Sequence, residues 1–166
     1  GADAAPTAFG VETEVAPSGW IVVYEGNVVS DHAKDFRFVG RYDDLLLIFI
    51  NNKIVFDGSW SDHSGKFNMS TDIAGPSLVN VPMKASPFLD LKRGDKLRIV
   101  IGESPGGLVG GGIFIEEKDT EYRKTASGNK ILPPFTTEPL RMEDMKRLEG
   151  LNYPIETIQV PVFRIE

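Results

Sequence analysis

RFVGRYDDLLLIFINNKIVFDGSW, residues 37–60, decides the fold class. Leu45 to Ile50 is the most apolar run in the chain, with no polar residue in it. Without alternation it reads as a strand covered on both faces, in the interior of a sandwich. Asn51-Asn52-Lys53 follows, and asparagine tolerates the positive φ that a tight two-residue turn demands. A hairpin pairing residues 45–50 with 54–57 is therefore predicted. On the other side of the run stand Asp43 and Asp44. Two ionised carboxylates about 5 Å apart repel by roughly 3 kcal/mol at an effective dielectric near 20. Water offsets that repulsion at an exposed turn. A divalent cation offsets it while using the same oxygens as ligands, since hard Ca²⁺ prefers carboxylate and carbonyl oxygen. Spacing alone favours the turn, because Tyr-Asp-Asp between strands is ordinary turn chemistry.

The same kind of run recurs on both sides of this stretch. Trp20–Tyr24, Phe36–Val39, Ile54–Phe56, Leu97–Ile101, Ile113–Glu116 and Val160–Ile165 are short, apolar and bounded by Gly, Pro, Asn and Asp, which is an all-β pattern. LDLKRGDKLRIVIGE, residues 89–103, gives a second hairpin-like unit with Arg93-Gly94-Asp95 at its turn, and good turn chemistry accounts for that tripeptide better than cell attachment does. One helix is predicted in TTEPLRMEDMKRLEG, residues 136–150. Thr137 would cap it, Pro139 would lie in its first turn and Gly150 would stop it, with Leu140, Met142, Met145 and Leu148 as a partial apolar face. The expected organisation is a flexible segment over 1–17 and one antiparallel β-sandwich domain over 18–166. Residues 118–150 would make a loop-and-helix excursion that packs on the sandwich before the last strand.

Composition narrows the function classes. A chain of 166 residues can bury one substantial core unaided. The absence of cysteine excludes disulfides, a thiol nucleophile and thiolate zinc sites, and leaves the redox compartment open. Net charge is −6, and lysine and arginine are scattered among acidic residues, so the basic footprint of a nucleic-acid binder is missing. No apolar stretch approaches the roughly 18 residues that would span a bilayer. The opening GADAAPTAFG lacks an initiator Met and has the small residues, then Pro and Thr, that follow a cleaved export signal. A secreted or cell-surface protein, or a periplasmic one, is the expectation.

Motifs for catalysis fail on physical grounds. GESPG, residues 102–106, matches the nucleophile elbow G-x-S-x-G, but Pro105 has no N–H for an oxyanion hole and a glycine run replaces the required helix. Both histidines, His32 and His63, precede the serine, against the order of that triad. PGGLVGGG, residues 105–112, lacks the Lys-Ser/Thr of a phosphate loop. Asn68-Met69-Ser70 fits a glycosylation sequon, and His63 reads as a surface-loop residue. A glycosidase needs two carboxylates flanking a cleft, which adjacent residues at one strand end cannot do, and Glu103, Glu116 and Glu117 make no stronger case. The chain does not read as an enzyme.

In order along residues 18–117, Trp20, Phe36–Phe38, Asp43-Asp44, Asn51-Asn52-Lys53 and Val55–Trp60, then LKRGDKLRIVIGESPGGLVGGGIFIEE, form a pattern that resembles the PA14 domain, in an elongated bacterial variant. The turn departs from that family, with Asn-Asn where Asn-Gly is usual, and residues beyond 117 lie outside the pattern. The resemblance implies a PA14-like antiparallel β-sandwich and a non-catalytic, exported binding module facing carbohydrate or a cell surface. It implies that Asp43 and Asp44, joined by a cis peptide, hold Ca²⁺ that in turn binds sugar hydroxyls. An asparagine and carbonyls from a later loop would complete the set, with Asn68 and Asn80 both eligible. Asn52 and Trp60, within the matching stretch, are the candidate ligand-contacting residues. The alternative is a structural or protein-interaction domain without metal or sugar, in which the pair caps a turn and a surface protein meets the helix-bearing tail.

Overall fold

The computed structural model describes residues 4–60, 71–78, 81–104, 110–151 and 153–166. A short helix α1 (Ala4–Ala8) precedes the strands β1 (Trp20–Asn27), β2 (Phe36–Asp43), β3 (Leu45–Ile50), β4 (Lys53–Asp57), β5 (Thr71–Leu78), β6 (Val81–Ala85), β7 (Lys96–Glu103) and β8 (Gly110–Glu117), and helix α2 (Met142–Glu149) follows. The strands form two four-stranded sheets, β1-β7-β3-β4 and β5-β6-β2-β8, with antiparallel pairing throughout. The class is an all-β sandwich.

β3 and β4 pair through Ile50 and Lys53, so the turn is two residues long. Asn51 and Asn52 both adopt positive φ, 51° and 64°, as a primed hairpin turn requires. Contrary to the expectation that both faces of Leu45–Ile50 are covered, the strand alternates. Leu46 and Ile48 are buried, while Leu45, Leu47 and Phe49 are half-buried. One face of the sheet meets the second sheet. The other is covered only in part, with the Arg98 guanidinium 5.9 Å from the centre of the Phe49 ring.

Two hydrophobic clusters hold the domain together. Phe36 and Phe38 of β2, Leu46 and Ile48 of β3, Phe56 of β4, Leu97 and Ile99 of β7 and Ile115 of β8 fill the space between the sheets, joined by Phe163 from the tail. Val39 and Phe114 neighbour those residues in β2 and β8 and therefore point to the opposite face. There they meet Met83, Ala85 and Leu132, with Tyr122, Tyr153 and Ile155 packed against them. Tyr122, Leu132, Tyr153 and Ile155 thus cover part of the outer face of one sheet. Buried Glu116 locks this layer, receiving Arg37 at 2.6 Å and Lys130 at 2.5 Å.

The tail differs from its predicted form in two ways. The helix runs over Met142–Glu149 with Arg141 as its N-cap residue, and none of its residues is buried. Thr136, just before the predicted cap, instead forms a bridge with Val162. Of the partial apolar face, Leu140, Met145 and Leu148 are half-buried and Met142 is 68% exposed. Val160–Ile165 is not a continuous strand but touches the fold through single bridges, Val162 to Thr136 and Ile165 to Val28. Asn27 and Glu166 exchange backbone hydrogen bonds of 2.7 and 2.9 Å. Gly26 makes this approach feasible, because a Cβ there would lie 2.1 Å from Ile165 Cγ2.

Candidate functional site

β2 ends at Asp43 in one sheet and β3 begins at Leu45 in the other. The Asp43–Asp44 peptide is therefore the point where the chain crosses between layers, and it is cis. Three backbone hydrogen bonds to two segments fix it. Tyr42 N–H donates to Gly58 O (2.9 Å), Trp60 N–H to Asp44 O (2.9 Å) and Asp44 N–H to Gly102 O (3.3 Å). The 57–60 segment is itself braced from below, since buried Asp57 accepts the Ser59 N–H at 3.0 Å and Ser59 Oγ accepts the Leu46 N–H at 3.1 Å. Asp44 Oδ2 accepts the Ser104 N–H at 2.7 Å.

A third carboxylate stands behind the pair. Glu103 ends β7 opposite Trp20, is 6% exposed, and its Oε2 finds no hydrogen-bond partner among the described residues. Burial pushes the Glu103 carboxyl above the ordinary range, and the charges of Asp44 and then Asp43 push it further. Asp43 is also raised, first by burial, then by its hydrogen bond with Asp44 and by the Asp44 charge. Burial raises Tyr42, and Glu103 adds to it. No cation counts among these causes. The nearby Arg41 donates to the carbonyls of Trp60 and Pro82, each at 2.9 Å, and its guanidinium lies 5.3 Å from the centre of the Trp60 ring.

Such a corner suits a hard cation. Carboxylate oxygens are the right donors for Ca²⁺, which takes 6–8 oxygens, and among the described residues no lysine, arginine or histidine forms an ion pair with Asp43, Asp44 or Glu103. Among the described residues, no three His, Cys, Asp or Glu side chains stand close enough to hold an ion together. Asp43 and Asp44 would thus be joined by neutral oxygens from backbone or ligand. Compared with protein-family models, with curated proteins and with solved structures, the chain matches none.

The other candidates fall at various distances from this corner. Trp60 adjoins it through its bond to Asp44. Asn52 does not: it sits at the hairpin tip beyond the far end of β3, roughly 25 Å away at about 3.3 Å per residue, where it forms the turn. Asn68, Asn80, His63 and Pro105 lie outside the described residues. The Arg93-Gly94-Asp95 segment is a turn, with Gly94 at φ 90°. Both Asp95 carboxylate oxygens are engaged, with Lys92 N–H at 2.8 Å and Asn51 Nδ2 at 2.7 Å. His32 is near neither Ser104 nor the pair. It stacks on Phe163 with ring centres 4.5 Å apart, its Nε2 is 3.0 Å from Glu117 Oε1, and burial is the largest influence lowering its pKa.

Sequence reasoning passed over Glu103 as a member of this site, yet a signal was present. Leu97, Ile99 and Ile101 occupy one face of β7, and the same period of two brings Glu103 onto that inward face. A carboxylate continuing a buried apolar register is a reason to look for its partner.

Proposed function

We propose that the chain is a non-catalytic, exported binding module of PA14-like architecture, in which Asp43 and Asp44 hold Ca²⁺ and hydroxyls of a glycan, or another surface ligand, complete the shell. The observation that supports this reading is the negative charge at the sheet-crossing corner, which no ion pair among the described residues offsets. Burial and neighbouring carboxylates raise both Asp43 and Glu103, while the backbone of residues 58, 60, 102 and 104 holds the pair in place. A site of two carboxylates plus neutral oxygens has a low charge count, and affinities of about 10⁻⁴–10⁻³ M characterise Ca²⁺ sites of extracellular modules. That range fits an exported protein. Trp60, whose backbone N–H donates to Asp44 O, is the aromatic candidate for contact with a sugar ring.

Calorimetric titration with Ca²⁺ tests the reading. The wild type is expected to give a saturable heat in the millimolar range, and Asp43→Asn to give none while melting in chelator no lower than the wild type. A wild type that gives no heat at millimolar Ca²⁺ overturns it. Glycan binding that survives chelation would overturn the role given to the metal in holding sugar.

A further inference from the structure

The backbone grips Asp44 from both sides of Glu103. Gly102 O accepts the Asp44 N–H, and the Ser104 N–H donates to Asp44 Oδ2. Between these two contacts the Glu103 side chain turns inward, 6% exposed, with Oε2 lacking a hydrogen-bond partner among the described residues. Buried carboxylates are ordinarily paired or fully hydrogen-bonded, so a strand that ends in an unpartnered one beside two more carboxylates calls for a compensating charge.

We infer that Glu103 is the third charge of the corner, a positioning residue that strengthens cation binding at Asp43 and Asp44 through its field and biases the site toward ions of higher charge. This rests on the Ca²⁺ reading above. Glu103 is not itself a ligand, since among the described residues no three carboxylates stand close enough to share one ion. Its action is therefore Coulombic, and Coulomb energy scales with the charge of the ion. Removing the Glu103 charge should cost a trivalent ion one and a half times as much, on a logarithmic scale, as a divalent one. A loss of about tenfold for Ca²⁺ corresponds to about thirtyfold for Tb³⁺.

The test is calorimetric titration of the full chain with Ca²⁺ and separately with Tb³⁺ at about pH 8, comparing wild type, Asp43→Asn, Glu103→Gln and Glu103→Met. Both Glu103 variants are expected to bind the two ions more weakly, with the larger loss for Tb³⁺. Glu103→Met removes the charge without leaving a buried polar group, so it carries the test if Glu103→Gln does not fold. Wild-type binding of both ions with unchanged affinity in the Glu103 variants overturns this inference and leaves the Ca²⁺ reading standing. An equal loss for both ions makes Glu103 merely structural and also overturns it. If the wild type binds neither ion, the reading itself fails and takes the inference with it.

Discussion

β3 and β7 run side by side between two ends of the sandwich that treat charge in opposite ways. At the hairpin end, Asn51 bridges to the neighbouring turn, donating to Asp95 at 2.7 Å and accepting the Lys96 N–H at 2.9 Å. Glu25 there receives Lys96 at 2.8 Å and Arg98 at 2.5 Å, and these bonds hold its carboxyl below the ordinary range. At the opposite end, Asp43 and Glu103 are raised by burial and by one another's neighbours. Among the described residues no lysine, arginine or histidine forms an ion pair with Asp43, Asp44 or Glu103, and that contrast with Glu25 is the physical basis for proposing a cation at one end and not at the other.

The hairpin end can be broken first. Asn51→Ala removes two side-chain hydrogen bonds and puts alanine at φ 51°, so it should cost about 2 kcal/mol in urea unfolding, read as a lower midpoint at unchanged slope. Ca²⁺ affinity should stay as in the wild type. A loss of Ca²⁺ binding in Asn51→Ala would show that the two ends are not independent.

A smaller effect sharpens the contrast through pH. Glu25 has a lowered pKa, so its ion pairs stabilise the fold above the unfolded carboxylate value of about 4.3, and that contribution is lost as pH falls through the folded value. Glu103 has a raised pKa, so the signs reverse. Its share of stability is complete below the unfolded value and is lost as pH rises through the folded one. In chelator near neutral pH, Glu25→Gln should melt below the wild type and Glu103→Gln above it, by about 2 °C or less for the exposed Glu25 pair. As pH falls below the unfolded carboxylate value the Glu103 difference should vanish, and the Glu25 difference should shrink as pH falls further through its lowered folded value. Melting shifts of the same sign in both variants at neutral pH would contradict the assignment.

The hairpin was legible because local chemistry dictates it. Two asparagines in a row admit positive φ, and a six-residue apolar run reads as strand without any knowledge of its neighbours. β5 and β6 were not anticipated, since Gly75 and Pro76 interrupt one and Pro82 the other. Proline is tolerated in such strands where a backbone N–H is not needed for the ladder, which only tertiary placement decides. Thr137 and Pro139 look like a helix start, but the bridge between Thr136 and Val162 competes with helix there and delays it to Met142. The pair itself looked like a turn into a buried strand. That it is a crossing between two sheets, with Glu103 brought in from a strand some sixty residues away in sequence, is set by strand order and lies beyond local pattern.

The most direct measurement is a Ca²⁺ titration followed through backbone amide resonances. The account predicts saturable shifts at Ser104 and Trp60, whose N–H groups bond to Asp44, with Asn51 and Lys96 at the far end unmoved. No shift at Ser104 and Trp60 up to millimolar Ca²⁺, or equal shifts at both ends, would contradict it.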